Sequence, residues 1–225
     1  MPHPHWPLFD LEVRTPRLTL RYIDDELASQ LATLAASGIH DPDWMPFAMP
    51  WSNLPSPELE RQALQFYWRC RVETQVDKWN INFAVIVDDT VVGTTGLMAD
   101  EFGKLRQFES GSWLGREYQG QGTGTEMRIA TLTLGFIGFG AEWATTGAWS
   151  DNGPSLGVTR KLDYTEQGRR RMVRNGEHAD DLIGFEMPRA HFIENLQRSD
   201  ITITGDEGAR ALLGISRAAD SSPRD

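Results

Sequence analysis

Trp113-Leu114-Gly115-Arg116-Glu117-Tyr118-Gln119-Gly120-Gln121-Gly122-Thr123-Gly124 decides how this chain is read. A short strand ends at Trp113 and Leu114. A polar loop with alternate glycines follows, and a helix opens near Gly124 and runs on through about Phe139. Glycine accepts positive φ and lets a backbone come close to a ligand. The first turn of a helix carries N–H groups without partners and the positive end of the helix dipole. Strand, glycine loop and helix start therefore form a cradle for an anion, most naturally a phosphate. Spacing narrows the choice. A P-loop requires Gly-Lys-Ser or Gly-Lys-Thr, whereas Thr125 and Glu126 follow Gly124. A dinucleotide fingerprint requires Gly-x-Gly-x-x-Gly and an early βαβ unit. Here the pattern is Gly120-x-Gly122-x-Gly124, late in the chain and after an antiparallel hairpin.

Working back from that stretch, Glu109 to Leu114 is the strand that delivers the loop. Before it, Asn80 to Val87 and Val91 to Met98 flank Asp88-Asp89 and read as a hairpin. A helix begins at Ser56 or Pro57, with Leu59, Ala63, Phe66, Tyr67 and Cys70 as its buried face. Residues 38 to 57 form a long loop with five prolines, either an apolar flap on the core or a wall of the substrate site. Asp24 and Asp25 cap a helix marked by Leu27, Leu31 and Leu34, which ends at Gly38. Leu18 to Tyr22 alternates as a strand, and residues 1 to 14 read as an extended arm. Forward of the loop helix come a strand at Glu142 to Trp149 and a short helix at Ser155 to Lys161. An antiparallel pair follows at Arg169 to Val173 and Leu182 to Arg189, with Arg169, Arg170, Arg171 and Arg174 on a solvated face. Ala190 to Leu196 reads as a helical turn, 201 to 204 as a strand, Glu207 to Leu213 as a helix, and 215 to 225 as a disordered tail. The expected architecture is one α+β domain from 15 to 214, with a mixed sheet and a short strand–helix extension at its end.

Composition fits that picture. The chain has 225 residues, 40% of them hydrophobic and 24% charged, which suits a soluble globular protein. A net charge of −10 argues against general nucleic-acid binding. The single cysteine, Cys70, excludes an internal disulfide and a cysteine metal set. No histidine pair has metal spacing, so no metal is expected. The start of the chain does not read as a signal peptide, and Ile129 to Phe139 is too short and broken to span a bilayer. The expectation is a cytoplasmic protein away from membranes, with a dimer or higher oligomer permitted by the Trp-rich acidic surface.

Gln119, Gly122 and Gly124 make Gln-x-x-Gly-x-Gly directly after a strand, which resembles the pyrophosphate loop of the GNAT acyl-CoA N-acyltransferase superfamily. Asn152-Gly-Pro-Ser155 followed by Lys161-Leu162-Asp163-Tyr164 resembles the Asn-x-x-Ser and Lys-Leu-Gly-Phe segment of its ribosomal-protein N-acetyltransferase branch. Thr15 to Arg21 resembles that branch's first strand, so the likeness spans about 15 to 189. Residues 5 to 11, His40 to Asp43 with Met45-Pro46-Phe47, and Ser110 to Gly115 with Tyr118 to Gly120 resemble a mycobacterial subgroup of succinyl-CoA transferases.

The resemblance implies a GNAT fold, with a mostly antiparallel sheet splayed between its fourth and fifth strands. It also implies acyl-CoA as cosubstrate, with succinyl-CoA or acetyl-CoA as donor and no metal. The pyrophosphate would lie on the backbone of Gln119, Gly120, Gln121, Gly122, Thr123 and Gly124. Pantetheine would pair with the strand at Trp113 and Leu114 and meet Asn152 and Ser155. Transfer to an amine needs a base, for which Glu109 is best placed, with Asp100 and Glu101 as weaker candidates. Ser155 would donate to the departing sulfur. The tyrosine acid common in the family is replaced by Thr159. A succinyl carboxylate needs a donor or cation, for which His40, Trp51 and Arg71 are candidates. His40 reads equally well as a turn residue. The acceptor is an amine of unknown identity, either a small molecule or a protein N-terminus or lysine. A CoA-binding sensor without turnover is the reading from another class.

Overall fold

The computed structural model describes residues 2–176 and 178–216. Among the described residues, nine strands form one sheet: β1 (Glu12–Arg14), β2 (Thr19–Tyr22), β3 (Trp79–Val87), β4 (Thr90–Ala99), β5 (Gln107–Leu114), β6 (Trp143–Trp149), β7 (Thr165–Arg174), β8 (His178–Pro188) and β9 (Thr202–Thr204). The α-helices among the described residues are α1 (Asp25–Ala36), α2 (Glu58–Val72), α3 (Phe102–Leu105), α4 (Thr123–Thr133), α5 (Gly153–Lys161), α6 (Arg189–Asn195) and α7 (Asp206–Leu213). The spatial order is β7-β8-β6-β5-β4-β3-β2-β1-β9. Every pairing is antiparallel except β5 with β6. This is the mixed, mostly antiparallel open sheet flanked by helices that the sequence implies.

Local chemistry explains the element boundaries. The Asp24 carboxylate accepts the Leu27 N–H at 2.8 Å and caps α1. Asp88 and Asp89 both take positive φ (46° and 60°), the geometry that a tight hairpin turn requires. Gly135 lets α4 and the π-helical turn after it, Leu134–Gly138, lie against β5. A Cβ there would meet the Phe108 ring at 2.2 Å. Phe108, Phe136 and Phe192 stack through that contact into the main core.

Four expectations differ from the structure. Arg174, expected on a solvated face with Arg169 to Arg171, is buried, because it turns inward to the carboxylates of Asp151 and Asp180. Residues 7 to 14 are not an extended arm. Pro7–Asp10 is a 3₁₀ turn, and β1 lies between β2 and β9, with Leu8, Leu11 and Val13 buried. The strand is only three residues long, too short to show a period. Phe66 is 45% exposed, because Leu59, Ala63, Tyr67 and Cys70 complete the narrow buried stripe of α2 without it. The expected tail begins at Ile215, which is buried in the core; 217 to 225 lie outside the described residues. No described helix is long and apolar enough to cross a membrane. Among the described residues no three His, Cys, Asp or Glu side chains are grouped to hold a metal.

Candidate active site

The site is built on the one parallel pairing. β5 and β6 match at Gln107–Trp143, Phe108–Ala144 and Glu109–Thr145, and no further. Beyond Glu109 the two strands part, leaving Ser110 to Leu114 and Thr146 to Trp149 as the sides of a wedge. Side chains close its apex: the Thr146 hydroxyl donates to the Ser110 carbonyl at 3.0 Å and the Thr145 hydroxyl to the Phe108 carbonyl at 3.3 Å. The outer half of β5 keeps its other neighbour, since β4 pairs with it up to Gly93–Leu114. On the wedge side it has no strand partner, although side chains reach two of its carbonyls, Thr146 that of Ser110 and Gln119 that of Leu114.

The glycine loop stands at the open end of the wedge. Gly120 and Gly122 have φ of 73° and 83°, so an L side chain at either would be strained. Gly124 has ordinary φ, and a Cβ there would meet Val158 at 3.6 Å, an ordinary contact; its smallness is not required by the protein's own packing. α4 starts at Gly122 without a side-chain cap. The N–H groups of Gly120, Gln121, Gly122, Thr123 and Gly124 donate to no acceptor among the described residues. The Gln119 amide instead fastens the loop, donating to the carbonyls of Leu114 at 2.8 Å and Ile39 at 2.9 Å. Gln121 donates to the Glu117 carbonyl at 2.7 Å.

Alternation along β5 divides the chemistry between two faces. Ser110 and Ser112 face α4. Glu109 and Trp113 face the opposite side, where α1, α2 and the 38–57 loop lie. Glu109 is exposed at the last paired position and has no hydrogen bond or ion pair among the described residues. Trp113 stands beside Trp51 (6.1 Å between rings), Trp51 beside Phe47 (5.2 Å), and Phe47 beside His40 (5.9 Å). The loop thus places an aromatic wall next to the strand that carries Glu109. His40 is held at both nitrogens, by the Asp41 carbonyl at 2.8 Å and the Ser52 hydroxyl at 2.7 Å. It shapes a groove of about 480 Å³ with Gly38, Ile39, Pro42, Ser52 and Asn53. Arg71 is not brought to this group: it binds Asp25 and the Ile23 carbonyl and lies over Phe9.

α5 borders the wedge from the β6 side. Asn152 caps it, accepting the Ser155 N–H at 3.1 Å. The half-buried Ser155 hydroxyl donates to no described residue, so it remains available. Thr159 is fully buried and donates back to the Ser155 carbonyl at 3.0 Å, so the position of the usual tyrosine holds no acid. Cys70 is buried in α2, and burial together with Glu73 pushes its thiol up to about 11. It stays protonated at neutral pH and is a poor nucleophile.

Two arginines escaped the sequence reading. Arg17 reaches from the turn before β2 to the Glu126 carboxylate and the Gln121 carbonyl, both at 3.2 Å, and so braces the glycine loop. Arg128, on α4, is buried under the wedge. Both lie far in sequence from the groups they serve, and neither makes a local pattern.

The model of an acetyltransferase (GNAT) domain matches residues 17–165. Among solved structures, the chain resembles RimL, a ribosomal L7/L12 alpha-N-protein acetyltransferase in complex with coenzyme A. The TM-score is 0.66 at 17% identity, over 77% of this chain and 95% of that one. A GCN5-related N-acetyltransferase from Brucella melitensis gives 0.65 at 17% identity, over 81% and 80%. A GNAT-family acetyltransferase from Bacillus anthracis gives 0.61 at 17% identity, over 80% and 99%. At these identities the likeness speaks for the fold.

Proposed function

The chain belongs to the GNAT acetyltransferase family and is an acyl-CoA-dependent N-acyltransferase; from that premise we propose that it passes a short acyl group, succinyl or acetyl, directly from coenzyme A to a primary amine in a ternary complex. The observation that carries this reading is the parting of β5 and β6 beyond Glu109–Thr145, with unpaired loop N–H groups at its mouth and a free carboxylate at its apex. The N–H groups from Gly120 to Gly124 suit the pyrophosphate. The stretch of β5 that β6 leaves unpaired, running to Trp113 and Leu114, suits the pantetheine arm, with Asn152 and Ser155 across from it.

Amine attack requires removal of a proton, and Glu109 lies on the face lined by the aromatic wall, where the acceptor would sit. The departing thiolate requires a proton in turn, and the Ser155 hydroxyl, or a water beside it, is the available donor. Direct transfer agrees with the buried, protonated state of the only thiol. The acceptor is an amine able to pack on aromatic rings, as a small molecule or as the end of a peptide.

The test is thiol release from acetyl-CoA and succinyl-CoA with a panel of amines, peptide N-termini and lysine peptides. Wild type should turn over at least one pair, and Glu109→Gln should lose most of that rate while still binding CoA. Binding of acyl-CoA without turnover on any amine would favour the sensor reading. Equal turnover by wild type, Glu109→Gln and Ser155→Ala would sink the assigned roles.

A further inference from the structure

On the face of the sheet that carries Glu109 and Trp113, glycines line up across neighbouring strands. Gly96 on β4 pairs with Gly111 on β5, and Gly147 on β6 pairs with Gly184 on β8, which pairs in turn with Gly168 on β7. Gly111 and Gly147 each stand two residues beyond the Glu109–Thr145 pair, so they face each other across the opening wedge. Glycine inside a strand weakens it and ordinarily marks a bulge or the close approach of another group. Two of these glycines have such a reason within the protein. Gly168 lies at the bulge of β7 with φ of 130°, and a Cβ on Gly96 would meet Asn82 Oδ1 at 2.7 Å. Gly111, Gly147 and Gly184 have none. They do not take positive φ, and a Cβ on any of them would meet nothing closer than 3.6 Å. α1 and α2 pack over β3 and β4 on this face, whereas Gly147 is exposed and Gly111 and Gly184 are half-buried. The protein thus leaves a bare trough running from the Glu109 strand out over β6 and β8.

The two sides of the trough differ in chemistry. Along one side Trp113 and Leu182 continue the apolar wall, with Trp149, buried, paired to Leu182. Along the other, the paired row Met98, Glu109, Thr145 and Glu186 carries two carboxylates. Glu186 is half-buried and, like Glu109, has no hydrogen bond or ion pair among the described residues. One strand separates the two glutamates, which sets their Cα atoms about 10 Å apart, two strand spacings. The arginines on this face of β7 do not neutralise them. Arg174 is committed to Asp151 and Asp180, and Arg170, opposite Leu182 on the apolar side, rests on the Met172 sulfur. Glu109 has a part in the reaction proposed above, since it takes the proton of the attacking amine. Glu186 has none. Two carboxylates without cations, set along an apolar wall, are complementary to an aliphatic chain with a positive charge at each end. The net charge of −10 draws such a molecule in. Resting on the acyl-CoA reading above, we infer that Glu186 is a specificity-determining residue for the acceptor and that the acceptor is an aliphatic diamine. One nitrogen gives up its proton at Glu109 and attacks. The other stays an ammonium and is held by Glu186. The methylenes between them lie over the glycines, against Trp113 and Leu182. A side chain at Gly111, Gly147 or Gly184 would fill that path, which accounts for the glycines that folding does not require.

Titration calorimetry on the protein saturated with free CoA reads the acceptor preference without turnover. The probes are pentane-1,5-diamine, pentylamine and 5-aminopentanoate, which share a chain and differ in the group at its far end. Wild type should bind the diamine about 10–100-fold more tightly than either of the others, the range expected for hydrogen bonds to a charged group. In Glu186→Gln the diamine should weaken at least about tenfold, while pentylamine and CoA stay within about twofold of wild type. Glu186→Lys should turn the preference toward 5-aminopentanoate, a reversal that a merely structural role would not produce. Gly147→Leu, which the backbone can accept, should weaken the diamine and leave CoA binding in place. Equal affinity of wild type for diamine and pentylamine overturns the inference and leaves the acyl-CoA reading standing, even if every variant fails to fold. Persistence of the diamine preference in folded Glu186→Gln also overturns it. So does tighter binding of a lysine peptide than of the diamine, which would give the trough to a protein segment. Failure of wild type to bind CoA, read separately in the first titration, would defeat the acyl-CoA reading and this inference with it.

Discussion

At the scale of single residues, the site holds a free carboxylate, while the protein's one thiol is silenced by burial in α2. Glu109 is exposed, unpartnered and at the apex of the wedge, so replacing it with glutamine removes a base without disturbing any bond in the structure. General-base catalysis contributes about 10²–10⁴-fold to rate. Glu109→Gln should lower kcat by that order while the Kd for CoA, read by calorimetry, stays within a factor of about two. Cys70 provides the converse. Its thiol is buried and pushed up to about 11, so little thiolate exists at pH 7. Cys70→Ser should keep its turnover within a few-fold of wild type, and intact-mass spectrometry of wild type with donor alone should show no acyl adduct. An adduct lost in Cys70→Ser would replace direct transfer with an acyl-enzyme.

At the scale of elements, the loop from 38 to 57 is held in place from the far side of the sheet. Arg174, at the end of β7, donates to the Met45 carbonyl and to Asp151, and it lies 5.1 Å from the Trp149 ring centroid. Trp44 donates to Asp151 at 2.8 Å, and the Asn175 N–H donates to the Ala48 carbonyl at 3.1 Å. Arg174→Ala should cost about 1–3 kcal/mol, the range for hydrogen bonds to a buried charge. It should also raise KM for the acceptor more than KM for the donor, because the aromatic wall loosens while the glycine loop does not. The same cluster predicts a pH effect. Partial burial alone would raise the Asp151 carboxyl, but the hydrogen bonds from Trp44 and Arg174 and the guanidinium charge outweigh it and hold it below its ordinary 3.8. A depressed folded-state value adds stability that is complete above the unfolded value and lost as pH falls through the folded one. The stability gap between wild type and Asp151→Asn should thus be constant near neutrality and shrink below about pH 4, as followed by urea unfolding across pH. The glycine loop offers a sharper local test. Gly122→Ala forces a Cβ into φ of 83°, a strain of about 1–2 kcal/mol, and should weaken CoA binding measurably.

At the scale of the whole molecule, what the sequence made legible depended on how local the signal was. Gln119 to Gly124, the Asp24 cap and the Asp88-Asp89 turn each depend on neighbours within a few residues, and the structure places them accordingly. β1 was missed because three residues cannot show a period, and its strand character comes from β2 and β9 on either side. Arg128 was missed for a related reason. On its helix it reads as an ordinary charged position, and only the parting of β5 from β6 makes it a buried cation. Arg71 erred in the other direction: a cation near the right part of the sequence was already engaged by Asp25 and the Ile23 carbonyl. The C-terminal extension shows the same dependence on distant contacts. α7 and β9 read as an appendage in sequence, yet Ala209, Leu213 and Ile215 belong to the core cluster that includes Phe83 and Phe136. Arg210 donates to the Gly138 carbonyl at 3.0 Å, and Arg198 lies 3.8 Å from Glu126 in the first turn of α4. The extension and the helix after the glycine loop therefore share one core and are expected to unfold together. Leu213 is fully buried, so Leu213→Ala should cost about 2–5 kcal/mol through lost burial and a residual cavity. If the extension is part of the cooperative unit, calorimetry will show a single transition moved to lower temperature, and added CoA will raise it in mutant and wild type alike. An early separate transition, with the main one and its response to CoA unchanged, would show that the extension folds apart from the site.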